Sequence, residues 1–456
     1  MNTRLSHLIA LCLSTSALLA QQPAPAPEAA PKPEFKTIVS RLELKDGDTL
    51  VFLGDSITHQ CLYTQYLEDY FYTRYPNLRI HFHNSGVGGD RAADALRRFE
   101  DDVASFKPKY VTILLGMNDG SYRDFDKAIF DTYQQGMTTL LDQIAALGAT
   151  AIPMTPTMHD ARAARLRGKP QEPRDTYYNG VLALYGAWLR EQAQVRGLGF
   201  VDMYSQLNTL TLEARKTNAT FTLIKDAVHP DAPGQVVMAI GILDSMVQKG
   251  PVSAITVAIL PKTGKFGALP AVNGKITDFK EEGDTLSFNF QANALPWVLP
   301  PDAAEGYKLT HAGHRNSNEK ITVRNLKPGK YALRIEGQAA GTYTDGQLAF
   351  GVELEENEKT PQYQQALKVA LLNKDRNDQA VRPLRNFWGG LKGRRNALGK
   401  VPAAEKEAAQ ATFDKWVKDE FTPGIAKLKA QVLEFENKIY EANQIPARKY
   451  EITRVP

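Results

Sequence analysis

Cysteine is nearly absent. The 456 residues contain two, Cys12 and Cys61, so no disulfide framework organises the chain and stability has to come from packing. A dominant charge is also lacking: the formal net charge is +4, too near neutral to mark nucleic acid as the main partner. No apolar run reaches the roughly 20 residues of a membrane-spanning helix, so no transmembrane segment is expected. Gly-x-Ser-x-Gly does not occur, which argues against the α/β-hydrolase fold. What is present is ample apolar material, 43% hydrophobic and 9% aromatic, enough for a large core and incompatible with disorder or collagen. At roughly 100–200 residues per domain, the length accommodates two to four structural units.

Residues 1–20 carry one positive charge, at Arg4, then an apolar run from Leu8 to Ala20 that ends in small residues. They read as a cleaved export signal, so the expected location is periplasmic or extracellular. Leu11 precedes Cys12 where lipid attachment would want a small side chain, which favours a soluble product over a lipoprotein. Residues 21–36 alternate Ala and Pro and read as an extended spacer. Cleavage leaves Cys61 alone, on a predicted helix beside Leu62 and Tyr66, in a buried apolar role.

From 37 to 250 short apolar runs alternate with amphipathic stretches. Residues 49–54, 79–84, 110–116, 149–155 and 198–203 read as strands; 61–75, 90–106, 126–148, 175–196 and 232–248 read as helices. Strand and helix in repeated alternation predict a parallel sheet covered on both faces, with ligands bound at the carboxyl ends of the strands. From 251 to 355 the runs 251–259, 285–290, 320–326 and 330–336 read as strands without intervening helices, with a turn at Lys327-Pro328-Gly329-Lys330. The region 356–456 reads as helical. Thr422 and Pro423 suit the start of its last helix, whose stripe Ile425, Leu428, Val432, Phe435 and Ile439 needs a partner surface. Residues 359–456 also hold 19 Lys+Arg against 11 Asp+Glu, so an anionic partner would be sought there, for example at Lys392-Gly393-Arg394-Arg395; a solvated helix end explains that run equally well. Nothing in the pattern assigns an oligomeric state.

Three predicted strand ends, and one later loop, each present a different polar group. Gly54-Asp55-Ser56-Ile57-Thr58 follows the first strand and places Ser56 at a strand-to-helix turn, where its N–H is free to face a substrate oxygen. Gly86-Val87-Gly88-Gly89-Asp90 follows the second, where missing side chains allow close backbone approach. Gly116-Met117-Asn118-Asp119 follows the third and supplies an amide donor; Asp119 reads as a cap for the next helix. Asp226 and His229 lie on a loop ahead of the helix opened by Asp231. A hydroxyl nucleophile, an imidazole base, a carboxylate and oxyanion donors are the parts of an acyl-transfer site.

These four blocks in this order resemble the SGNH (GDSL-type) hydrolases, over roughly residues 49–248, with Ile57 where the family name implies Leu. The resemblance implies a three-layer α/β/α flavodoxin-like fold for 37–250, followed here by the β-rich segment 251–355 and the helical region 356–456. It makes Ser56 the nucleophile, His229 its base and Asp226 the group that orients His229. The Ser56 and Gly89 N–H groups and the Asn118 amide would form the oxyanion hole. No metal and no organic cofactor is implied.

Other readings stand beside this one. Gly86, Gly88 and Gly89 could be a degraded dinucleotide fingerprint, but residue 91 is Arg where a glycine belongs and the motif follows the wrong strand. Asp226 and His229 could be a surface pair. His311 and His314, with no cysteine near, read as a loop pair rather than a metal site. For substrate, export favours carbohydrate O-acetyl esters, within a wider class of small-molecule or polysaccharide esters. The alternatives are lipid, lysophospholipid or thioester hydrolysis, or an idle domain on a glycan-binding envelope protein.

Overall fold

The computed structural model describes residues 35–168, 171–172 and 174–456. The export segment read at 1–20, and the spacer read at 21–36 apart from its last two residues, lie outside the described residues.

Strands β1 (Thr49–Gly54), β2 (His81–Gly86), β3 (Tyr110–Leu114) and β4 (Thr150–Pro153) form a parallel sheet in the order β2-β1-β3-β4. Their residues are buried almost throughout, as strands covered on both faces require. The covering helices are α1 (Ser56–His59), α2 (Leu62–Arg74), α3 (Ala92–Leu96), α4 (Phe99–Asp102), α5 (Lys127–Ala146), α6 (Ala161–Leu166), α7 (Arg174–Arg196), α8 (Met203–Ala214) and α9 (Ala232–Met246). This is the α/β/α fold that the motif order implies. Two details differ from the sequence reading. Residues 198–203 run beside β4 but make only an isolated bridge to it, Met154 with Val201. The Gly199 N–H reaches the Ala151 carbonyl, but the reciprocal bond would come from Pro153, which has no N–H to donate. The single helix expected over 90–106 is broken into short pieces: the backbone leaves helical geometry at Arg98, with φ −120° and ψ 5°, and its side chain bonds the carbonyls of Gly54 and Ser85.

The next region builds two sheets. Strands β5 (Ser253–Ile259), β6 (Phe266–Ala268), β7 (Gly274–Glu282) and β8 (Thr285–Ala292) come first. Short helices α10 (Ala304–Leu309) and α11 (Ala312–Asn316) lead to β9 (Glu319–Val323), β10 (Lys330–Ile335), β11 (Gln338–Thr344), α12 (Asp345–Phe350) and β12 (Val352–Glu353). Val257 and Ile321 of one sheet share a core with Phe288 and Leu333 of the other. The turn at Lys327–Lys330 carries the chain from one sheet to the other and closes no hairpin. His314 sits on α11, a single short helix, and not on a loop; its Nδ1 contacts Glu353 at 2.9 Å.

The last region contains α13 (Pro361–Arg376), α14 (Arg382–Leu398), α15 (Lys406–Trp416) and α16 (Thr422–Ala442), and then departs from the helical reading. Residues Arg448–Val455 form β13, inserted between β10 and β8 in the order β11-β10-β13-β8-β7. Thr422 and Pro423 do not start a helix. A π turn at Val417–Phe421 joins α15 to α16, just as one at Asn377–Val381 joins α13 to α14 ahead of Pro383. The wider turn accommodates a proline that supplies no N–H and crowds the carbonyl one turn back.

Three helices of this arm, α13, α14 and α16, cover the open edge of the parallel sheet. The Ile80 N–H donates to Tyr440 Oη at 2.7 Å, the Phe82 carbonyl accepts from Arg376 at 2.9 Å, and the Asn84 carbonyl accepts from Arg385. An exposed row of backbone groups on β2 is thereby closed by side chains. Beneath it, Asp102 is buried between Arg385 at 2.9 Å and Arg98 at 2.6 Å. Burial alone would raise the Asp102 carboxyl, but Arg385, His83 and Arg98 hold it well below the usual carboxylate range.

Removing one partner from such a buried pair is costly. Arg385→Met is expected to destabilise the fold by about 3 kcal/mol, measured by denaturant unfolding, and Arg385→Met with Asp102→Asn to recover part of that loss. A second expectation concerns pH. Burial, opposed mainly by the Gln362 amide, pushes Glu319 from 4.5 up to about 7. Between those values the folded chain holds a proton that the unfolded chain has released, so this group's stabilisation is lost as pH rises. The Tm of Glu319→Gln relative to wild type should therefore increase from pH 5 to pH 7.

Candidate active site

Three neighbouring strands deliver the site. β1 lies between β2 and β3 with Gly54 in register with Gly86 and Leu114, so the segments that follow all three emerge at one rim. After Gly54 the chain turns at Asp55, whose Oδ1 accepts the Ile57 N–H at 2.9 Å and opens α1 at Ser56. Helix α1 lies directly on the strand ends. A Cβ at Gly86 would collide with the His59 backbone, and one at Gly54 with the Thr58 side chain, so this close seating requires glycine at both positions.

Asp226 and His229 approach Ser56 from the loop before α9, where Asp231 caps the helix by accepting the Gly234 N–H. Asp226 Oδ1 accepts the backbone N–H groups of Val228 and His229 at 2.9 and 2.7 Å, which folds the loop so that the two side chains face each other. His229 Nδ1 lies 2.6 Å from Asp226 Oδ2, and His229 Nε2 lies 2.8 Å from Ser56 Oγ. A carboxylate only accepts, so Nδ1 carries the proton and Nε2 is left to accept from the serine hydroxyl. Burial would raise Asp226, but the His229 N–H and ring and the Val228 N–H outweigh it and hold the carboxyl below its ordinary range. The patch is open: the His229 and Asp226 side chains are 34% and 48% exposed.

The expected donors meet at the same rim. Gly89 is exposed with φ +70°, a left-handed conformation that suits glycine. Among the described residues no protein group accepts the Ser56 or Gly89 N–H. Asn118 Nδ2 donates to the Asp90 carbonyl at 3.1 Å and stands 3.4 Å from Asp55 Oδ2, so one of its two hydrogens is held and the other is weakly engaged. Burial, opposed by the Ile57 N–H and reinforced by Asp119 and Asp90, pushes Asp55 up to about 7, which weakens it further as an acceptor. Asp119 does not cap the helix that follows it, since Asp126 does that for α5. Asp119 accepts the Ala92 N–H at 2.9 Å, tying the start of α3 to the third strand end.

Residues 52–237 match the GDSL-like Lipase/Acylhydrolase family. Those residues form a GDSL-type hydrolase domain. An acetylxylan esterase from Geobacillus stearothermophilus is 28% identical over 221 residues, which span 43% of this chain and 93% of the relative. The solved structure of BT4096, a gut microbial diltiazem-metabolizing enzyme, is 26% identical with a TM-score of 0.80, covering 92% of this chain and 100% of that one. With its GDSL-type domain and serine-histidine pair, the chain is a serine carboxylic ester hydrolase.

The sequence does not single out Tyr122. Its hydroxyl donates to Asn118 Oδ1 at 3.0 Å, which turns the amide so that Nδ2 faces the rim. Ser121 and Tyr122 both hold positive φ, 58° and 54°, unusual for side-chain-bearing residues, in the turn that aims this hydroxyl. The only sequence signal was adjacency to Gly116-Met117-Asn118-Asp119. Tyr122→Phe keeps the ring against Tyr178 and removes one hydrogen bond of about 1 kcal/mol. It is expected to lower kcat about fivefold with little change in KM, and to have no further effect in an Asn118→Ala background.

Proposed function

We propose that this hydrolase removes acetyl groups from carbohydrate esters outside the cytoplasm, with Ser56 as nucleophile, His229 as general base and acid, and Asp226 as the group that orients His229. The observation that carries the reading is the continuous hydrogen-bonded line from Asp226 through His229 to Ser56, 2.6 and 2.8 Å, at the rim of the parallel sheet. Ser56 Oγ attacks the ester carbonyl as His229 Nε2 takes its proton. The carbonyl oxygen becomes an oxyanion received by the Ser56 and Gly89 N–H groups and the Asn118 amide. His229 then protonates the departing alkoxide, and a water repeats the cycle on the acyl-enzyme.

Two things support the acetylated carbohydrate as substrate: the likeness to an acetylxylan esterase across nearly all of that protein's length, and the exposure of the dyad, which admits an ester displayed on a bulky polymer. The chain-wide likeness to an enzyme described as metabolising diltiazem favours a second reading, a small aryl-bearing ester. The segment read as an export signal supports location in the periplasm or beyond.

Purified protein assayed in parallel on acetylated xylan, 4-nitrophenyl acetate and diltiazem separates these readings. Release of acetate from the polysaccharide with the highest kcat/KM is the expected result. Ser56→Ala and His229→Ala should each cost about 10⁴-fold or more in kcat, Asn118→Ala about 10²–10³-fold, and Asp226→Asn less than His229→Ala. Wild-type rates in Ser56→Ala would overturn the mechanism.

A further inference from the structure

The loop Gly86–Asp90 supplies one donor of the proposed oxyanion hole, yet two of its residues are exposed glycines with little intrinsic preference for one conformation. What holds it comes from the C-terminal arm. Val87 is fully buried, in an apolar cluster made otherwise of arm residues that include Leu384, Trp388 and Leu391 of α14. The Gly88 N–H donates to His59 Nδ1 at 3.2 Å, and His59 Nε2 lies 2.9 Å from Asn386 Oδ1, also on α14. Because Nδ1 accepts, Nε2 carries the proton and donates to Asn386. Burial, with Arg385, Arg382 and Arg98 nearby and Asn386 opposing, lowers the His59 pKa and keeps the ring in that neutral form. One and a half turns further along α14, Lys392 Nζ donates to the Gly88 carbonyl at 3.3 Å and is itself held by Asp90 Oδ1 at 2.9 Å and Asp94 Oδ2 at 3.3 Å.

The Gly88 carbonyl and the Gly89 N–H belong to one planar peptide unit. An ammonium on the carbonyl draws electron density through the amide, makes the N–H a stronger donor, and fixes the plane in which that N–H points. We propose that Lys392 is a positioning residue of the oxyanion hole: it clamps and polarises the Gly88–Gly89 peptide, so that the arm completes a site built otherwise from residues 54–229. The inference rests on the reading of the Gly89 N–H as an oxyanion donor. It also gives Lys392 a task different from the solvated or anion-seeking role that its basic run suggests.

The test compares wild type, Lys392→Met and Lys392→Arg on 4-nitrophenyl acetate, with phenylboronic acid as a probe that forms a tetrahedral adduct at the serine. Lys392→Met is expected to lose about five- to tenfold in kcat with KM within about twofold of wild type, and to lose boronate affinity in the same proportion. Lys392→Arg, which keeps the positive donor, should recover most of both. Asp90 retains Arg98 as a partner at 2.8 Å, so the fold should survive. If Lys392→Met does not yield folded protein, Lys392→Gln, with one neutral donor, should show an intermediate loss. Wild-type kcat in Lys392→Met, a loss carried in KM, or a fall in kcat without a matching fall in boronate affinity would each overturn the inference. An inactive Ser56→Ala beside a fully active Lys392→Met would remove this inference alone; an active Ser56→Ala would remove the catalytic reading beneath it.

Discussion

Asp102 is a carboxylate cut off from solvent, and the way its charge is met organises everything near the site. An ion in that position is tolerated only when several donors surround it. His83 and Arg98 come from the hydrolase domain, and Arg385 comes from the arm, nearly three hundred residues away in sequence. Arg98 also bonds Asp90, Ser85 Oγ and the carbonyls of Gly54 and Ser85, so the same guanidinium that neutralises Asp102 ties together the ends of β1 and β2. Those strand ends carry Ser56 and the Gly86–Asp90 loop. The buried charge therefore links docking of the arm to the geometry of the rim where the proposed chemistry takes place.

The uneven charge of the sequence has a structural counterpart here. Part of the positive excess of residues 359–456 faces inward. Arg376 pairs with Glu68 at 3.0 Å, Arg385 with Asp102, and Lys392 with Asp90 and Asp94. Arg394 lies over the Trp416 ring at 4.4 Å and acts within the arm. The negative balance of the earlier residues and the positive balance of the later ones are complementary surfaces of one chain.

The candidate site was legible because its signals are local. A glycine at a strand end, a serine one turn on, and an aspartate three residues before a histidine are short patterns whose geometry follows from turns and caps within a few residues. The parallel sheet was legible because strands buried on both faces read as continuous apolar runs. What escaped depends on residues far apart. Tyr122 matters only because a strained turn aims its hydroxyl at Asn118. Asp119 looked like a cap for the next helix and instead caps α3. Residues 448–455 alternate weakly, follow a long helix, and become a central strand only by pairing with β8 and β10, more than a hundred residues earlier. Pro423 resembled a helix start because a π turn, which has no compositional mark, let the helix run through it.

The path of the chain explains how a helical arm can hold a loop in one place. The arm leaves the β-rich region after β12 and returns to it as β13, hydrogen-bonded along both sides in the middle of a sheet. It is thus a long closed excursion with both ends fixed, and closing so long a loop costs little more than closing one half its length, because the entropy grows only with the logarithm of length. In return, the face that touches the hydrolase domain has no free end about which to swing. Asn373 bonds Asp69 and the Gln65 carbonyl, and Asn443 bonds the Tyr72 carbonyl, so α2 is gripped near both ends of the excursion. Donors that are fixed before the oxyanion forms need no reorganisation when it does, which is where electrostatic catalysis gains most. A loop of exposed glycines cannot meet that condition alone; seated through Val87, His59 and Lys392 against an arm anchored at two ends, it can.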